Sequence, residues 1–156
     1  MKNPQQIQGV SLESIAHEFG TPVYVYDGEK IVEQIETLQK AFSSVPFQIK
    51  YATKALSNLS VLKLIKNAGA GIDAVSIEEV KLGMMAGFEA PEIMYTPSGV
   101  PFEEIREAVD LGVMVNLDSI PLIREFGKTY GGTVPACIRI NPHILAGGNH
   151  KISVGH

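Results

Sequence analysis

Apolar residues first recur at helical spacing at Leu12, Ile15, Ala16 and Phe19. Ser11 is suited to cap that helix and Gly20 to end it. The residues before it, through Val10, are mostly polar and predict no regular element. Thr21-Pro22 leads into Val23-Tyr24-Val25-Tyr26, a short β-type run. Asp27 can cap the next helix, whose apolar stripe is Ile31, Ile35, Leu38 and Phe42. A repeating rhythm then sets in. Phe47 to Thr53 reads as a strand, and Leu59 to Asn67 as a helix stopping near Gly69. Gly71 to Val75 is a second strand, and its helix starts at Ser76 with Glu79 three residues on, the spacing of a capping box. Ile93 to Thr96 is a third strand, followed by a helix that opens at Pro101 and runs through Phe102, Ile105 and Val109 to Gly112. Val113 to Leu117 is a fourth, with Asp118-Ser119 capping a helix through Ile120, Ile123 and Phe126. Pro135 to Ile140 is a fifth.

Strands alternating with helices at this spacing predict a parallel α/β architecture. No G-x-G-x-x-G or G-x-x-x-x-G-K-[ST] loop follows any of them, which weighs against an open nucleotide-binding sheet. Five units of about 20 to 25 residues fit the first part of a (β/α)8 TIM barrel, which in full needs about 250 residues. With 156 residues, the chain looks truncated.

Composition narrows the partners. A 45% apolar content is ample for a core, and 13 basic against 17 acidic residues give a net charge of −4 without a basic cluster, which argues against nucleic acid. The single cysteine, Cys137, has no intrachain disulfide partner. The N-terminus lacks the apolar run of a signal peptide, and no stretch approaches the ~20 apolar residues of a membrane span. A cytoplasmic protein with no membrane partner and no metal site is the expectation.

Candidate chemistry collects at the carboxyl ends of the predicted strands, the face that carries function in barrels. Lys54 closes the first strand, Asp73 lies on the second, and Thr96 and Ser98 follow the third. Asn116 and Asp118 end the fourth, and Arg139 lies near the end of the fifth. A lysine partly desolvated at a strand end titrates lower and becomes a nucleophile towards carbonyls, the requirement for Schiff-base chemistry with an aldehyde cofactor. Strand alternation puts Lys50, Ala52 and Lys54 on one face, so parity alone does not choose between the two lysines. Arg139 alternates with Ile138 and Ile140. If those aliphatics face the helices, Arg139 faces the barrel interior and wants an anionic partner, for which Asp73 is the nearest candidate.

At these residues the sequence resembles the diaminopimelate decarboxylases, alanine-racemase-like enzymes of fold type III that use pyridoxal phosphate. The resemblance rests on Gly20-Thr21-Pro22-Val23-Tyr24-Val25-Tyr26-Asp27, Tyr51-Ala52-Thr53-Lys54-Ala55, Gly71-Ile72-Asp73-Ala74-Val75-Ser76 with Glu79, and Ile138-Arg139-Ile140-Asn141-Pro142. The segment Gly148-Asn149-His150-Lys151-Ile152-Ser153-Val154-Gly155 completes it, in order from about residue 11 onward. The resemblance implies Lys54 as the Schiff-base lysine, Ala52 beside the cofactor ring, and Arg139 near its phenolic oxygen, held by Asp73. Glu79 stands between a helix cap and a site role, and His150 between a site-lining and a loop residue. It further implies decarboxylation of meso-2,6-diaminopimelate to L-lysine by a homodimeric whole protein. Residues 1–27 would then carry a helix and a strand that join a second, β-type domain, and residues 28–156 the barrel portion.

Three departures bear on this. Thr53 replaces a small aliphatic, on the strand face away from the ring. Thr96-Pro97-Ser98-Gly99-Val100 lacks a lysine common in that loop. The phosphate grip, the acid for the pyridine nitrogen and the second domain are not in the sequence, so the chain alone is expected to be inactive. Ornithine, arginine or carboxynorspermidine decarboxylases and alanine racemase share the lysine motif. A non-catalytic half-barrel is the alternative of a different class.

Overall fold

The structure, a computed structural model, describes residues 5–142. It begins with a hairpin of two-residue strands, β1 (Gln6–Ile7) and β2 (Val10–Ser11), where the sequence predicted no regular element. Gln8 and Gly9 take φ of 52° and 80°, the left-handed conformation that a two-residue hairpin turn requires. Ser11 also caps α1 (Leu12–Phe19), its hydroxyl accepting the Glu13 N–H, and Gly20 ends that helix as predicted. Asp27 caps α2 (Gly28–Ala41) by accepting the Lys30 N–H at 3.0 Å. The same carboxylate oxygen accepts the Gln8 side-chain amide at 2.8 Å, tying the hairpin to α2. Of the predicted stripe on α2, Ile35 is buried, while Leu38 and Phe42 stay about half exposed.

Val23–Tyr26 forms no strand, contrary to the sequence pattern. Its alternation of Val and Tyr is real, but a strand needs a neighbour to receive its backbone groups, and none of the described strands lies beside it. Tyr24 is 89% exposed in consequence.

The rest of the chain forms β3 (Lys50–Ala52), α3 (Leu59–Asn67), β4 (Gly71–Ala74), α4 (Ile77–Met85), β5 (Ile93–Tyr95), α5 (Phe102–Asp110), β6 (Met114–Leu117), α6 (Ile120–Tyr130) and β7 (Ala136–Ile138). All five strands are parallel, and their spatial order is their sequence order. An open doubly wound sheet reverses direction at a switch point; an unbroken order is the barrel pattern. Five units of a barrel of the (β/α)8 type are therefore in place. The strands are shorter than the predicted runs: β3, β6 and β7 begin one to three residues later, and β3, β4, β5 and β7 end one or two residues earlier.

Alternation divides the two faces. Ile72, Ala74, Ile93, Tyr95, Val115 and Leu117 point to the helices and are buried against Leu62, Ile65, Val80, Ile105 and Ala108. The other face carries Ala52, Asp73, Met94, Met114 and Asn116, all half-buried. No helix among the described residues is long and apolar enough to cross a membrane.

Candidate active site

β3 stops at Ala52, and the chain turns at once into a single 3-10 turn, Thr53–Ala55, closed by the Leu56 N–H donating to the Thr53 carbonyl at 3.0 Å. Lys54 occupies the middle of that turn. It thus stands at the carboxyl end of the strand, as the sequence predicted, but it is exposed rather than desolvated. The turn takes it out of the strand's alternation, so it does not share a strand face with Lys50 as the parity argument assumed. Lys50, the other candidate, lies at the opposite end of β3, where its amine donates to the Pro91 carbonyl at 3.0 Å. Burial lowers the Lys50 pKa, with Glu92 acting in the raising sense. Lys50 is thereby committed to the amino-terminal end of the sheet, away from the face that carries Lys54.

Beside Lys54 the register sets Ala52 directly against Asp73, and Asp73 against Met94. The Asp73 carboxylate accepts the Thr96 hydroxyl at 2.5 Å. One step further along the sheet, Asn116 pairs laterally with Cys137, and its side-chain oxygen is buried with no hydrogen-bond partner among the described residues. Towards its carboxyl end the inner face thus carries Ala52, Asp73, Thr96 and Asn116, with the apolar Met94 and Met114 beside them. A flat group with an aldehyde and ring polar atoms fits such a surface. The amine can take the aldehyde, Ala52 leaves room for a ring, and the orphaned Asn116 amide still has a hydrogen bond to make.

The structure does not join Arg139 to Asp73. Arg139 follows β7, three strands from β4, which at ~4.8 Å per strand is about 14 Å along the sheet. The ion pairs among the described residues are Lys30–Glu33, Lys66–Glu92 and Lys81–Glu107, and the Asp73 carboxylate is taken by Thr96 instead. Arg139 is exposed, so burial does not compel it to find an anion. It lines a cavity of roughly 250 Å³ with Ser98, Asp118 and Asn141, at the same carboxyl-end face. There the Ser98 hydroxyl donates to Asp118 at 2.7 Å. Asp118 is therefore not the cap of α6; Ser119 holds the capping position without a side-chain hydrogen bond.

Two features escaped the sequence reading. Thr53 points into the protein, 1% exposed, and its hydroxyl meets both the Asp73 carbonyl at 3.0 Å and the Glu79 carboxylate. Glu79 does not close the expected capping box. The Ser76 hydroxyl accepts the Glu79 N–H, but the Glu79 carboxylate accepts the N–H of Val75, at 2.8 Å, not that of Ser76. Only a motif that pairs a buried hydroxyl with an acid some twenty-five residues away would have shown this, and spacing alone does not. His150 lies outside the described residues. No group of three or more His, Cys, Asp or Glu is gathered for a metal among the described residues.

Comparison with known proteins bears directly on this arrangement. The family model described as pyridoxal-dependent decarboxylase, pyridoxal binding domain, matches residues 28–156. A diaminopimelate decarboxylase of Methanothermobacter thermautotrophicus is 37% identical over 147 residues, covering 93% of this chain and 34% of that protein. The enzyme of the same name from Campylobacter jejuni is 36% identical, covering 92% and 37%. Among solved structures, diaminopimelate decarboxylase from Helicobacter pylori complexed with L-lysine superposes with a TM-score of 0.81 at 33% identity, covering 93% of this chain and 38% of that one. The lysine/ornithine decarboxylase of Vibrio vulnificus complexed with putrescine gives 0.73 at 26% identity, covering 83% and 35%. The chain thus spans little more than a third of the length of the relatives it matches. A strand-end lysine, the Ala52–Asp73 pair and matches over almost the whole chain converge: this chain belongs to the pyridoxal-dependent decarboxylases, and its residues 28–156 match their pyridoxal-binding domain.

Proposed function

We propose that the whole protein decarboxylates meso-2,6-diaminopimelate to L-lysine, and that this chain supplies Lys54 as the amine that holds pyridoxal phosphate. The observation that carries the proposal is the position of Lys54: an exposed lysine in the turn at the carboxyl end of β3, two residues after Ala52, which pairs with Asp73. When bound, the cofactor supplies an electron sink for the electron pair left as carbon dioxide departs. The chain's own residues do the rest. Lys54 offers its amine to the cofactor aldehyde and yields that position to the substrate amine. Ala52, small and half-buried, lets a flat ring lie against β3. Asp73 presents a carboxylate whose orientation Thr96 holds through a 2.5 Å hydrogen bond. Arg139 brings positive charge to the same face from β7, suited to an oxygen anion on the ring.

Relatives named diaminopimelate decarboxylase at 32–37% identity, against 26% for the lysine/ornithine enzyme, support diaminopimelate as substrate. The match to the family model begins at residue 28, which supports the division between residues 1–27 and 28–156. A homodimer working in the cytoplasm belongs to the same reading, as does inactivity of these 156 residues alone. Release of carbon dioxide by the whole protein is the test, with diaminopimelate, ornithine and arginine as substrates. The proposal expects diaminopimelate to react at least about tenfold faster in kcat/KM, a floor well below the roughly 10⁴-fold that a site hydrogen-bonding a substrate's polar group can reach. It expects Lys54→Ala to abolish turnover. Faster release from ornithine or arginine would overturn the substrate, and full activity of Lys54→Ala would overturn the role of the lysine.

A further inference from the structure

The Lys54 turn is gripped from two sides. On one, the Tyr51 hydroxyl donates to the Leu56 carbonyl at 3.1 Å, fixing the exit of the turn. On the other, the Thr53 hydroxyl reaches the Glu79 carboxylate and the Asp73 carbonyl. Thr53 is fully buried with its hydroxyl, and it immediately precedes Lys54. The Glu79 oxygen that receives it also accepts the Val75 N–H at 2.8 Å. One carboxylate oxygen thereby joins three things: the first turn of α4, the end of β4 just past Asp73, and the entrance of the Lys54 turn.

We infer that Thr53 and Glu79 form a clamp that sets where Lys54 presents its amine relative to Asp73. Both are positioning residues, since neither lies on the inner face itself. The chemistry favours this over plain core filling. A buried hydroxyl is retained only where its hydrogen bond is made, and a carboxylate partner makes that bond stronger and more directional than a carbonyl alone. The carboxylate is spent on joining two strand ends, when its position in the helix would let it cap its own N-terminus as a capping box does. A turn closed only by the Leu56–Thr53 backbone bond would leave the lysine free to sample other orientations. The Glu79 link ties it to the strand that carries Asp73.

This inference rests on Lys54 being the cofactor's amine, and two measurements keep the two claims apart. The first is amide hydrogen exchange on the chain without cofactor. Thr53→Val keeps the buried volume and removes the hydroxyl. It is expected to speed exchange at Leu56 and Val75 and leave β5 and β6 unchanged, and Thr53→Ser is expected to restore protection. Equal protection in wild type and Thr53→Val overturns the clamp, whatever Lys54 does. The second is the rate at which borohydride fixes pyridoxal phosphate on Lys54, with Lys63 and Lys128 as exposed internal standards. Thr53→Val and Glu79→Ala are expected to slow Lys54 by about tenfold or more, the scale of an ångström-level misplacement, without slowing the standards. Recovery in Thr53→Ser supports a positioning role, because a general loss of stability would slow no single lysine. Unchanged Lys54 labelling in Thr53→Val overturns the inference. Wild-type label scattered over all lysines overturns the role of Lys54, while amide exchange still decides whether the clamp exists.

Discussion

At the scale of single residues, the candidate site is set by which polar atoms are already committed. Lys50 and Lys54 stand four residues apart and look alike in sequence. The structure separates them by partners: Lys50 is bound to the Pro91 carbonyl, and Lys54 stands exposed on its turn. The same accounting corrects the Asp73–Arg139 pair. That expectation needed the two groups to be neighbours, but the sheet order keeps Arg139 three strands from Asp73, whose Oδ1 accepts the Thr96 hydroxyl. Local partnerships were legible, because side chains of Ser11, Asp27, Asn58 and Ser76 cap the helices directly beside them. Partnerships between strands were not, since nothing in spacing says which strand lies next to which. A titration tests this kind of bookkeeping. The Lys66 ammonium donates to Glu92 at 2.7 Å, and the Glu89 N–H donates to the same oxygen; both hold the Glu92 pKa below its ordinary 4.5. The unfolded chain therefore binds more protons than the folded one as pH falls below 4.5. The contribution is fully present above that value and lost as pH drops through the lowered one. Exposure limits its size. Glu92→Gln should cost about 0.5 kcal/mol in denaturant unfolding at neutral pH, and the two proteins should converge in acid.

At the scale of elements, helix bounds were read well, and β4, β5 and β6 to within one residue at each end, while β3 and β7 fell three and two residues short of their predicted runs at one end. Helices announce themselves by a 3.6-residue stripe and by caps; α3 was predicted to the residue, with Asn58 accepting the Ser60 and Val61 N–H groups. Strands of three or four residues carry too few positions for alternation to fix an end, and β1 and β2, at two residues each, carry none. Val23–Tyr26 shows the converse: a clear β-type run that forms no strand because no described strand lies beside it. Close contacts between elements also escape a sequence reading. Gly71 opens β4 where a Cβ would lie 2.3 Å from the Glu92 backbone oxygen and 2.9 Å from the Lys50 side chain. Backbone cannot yield as a flexible side chain can. Gly71→Ala should therefore cost about 1–3 kcal/mol in urea unfolding, the range for overpacking a tight site. An unchanged midpoint would show that the β4 and β5 entrances have room to separate.

At the scale of the whole molecule, the alternation of strands and helices made a parallel α/β architecture legible, and the consecutive order of five parallel strands in the structure makes it a barrel portion. Every residue assigned to the candidate chemistry in the described part lies at or just past a carboxyl strand end: Ala52, Lys54, Asp73, Thr96, Asn116 and Arg139. The outer surface was less legible. Phe19, Tyr24, Phe42 and Ile140 are each half exposed or more, and an apolar cavity of about 400 Å³ lies between α2 and β3, lined by Ile31, Ile35, Leu38 and Ile49. Sequence periodicity marks which side of an element is apolar but not whether anything covers it. What all three scales require in common is that one lysine differ from the rest. The direct test is to incubate the chain with pyridoxal phosphate, reduce with borohydride and locate the modified residue by peptide mass. The account predicts one label per chain, at Lys54, and none there in Lys54→Ala. Label at Lys50, or spread evenly over the surface lysines, would contradict it.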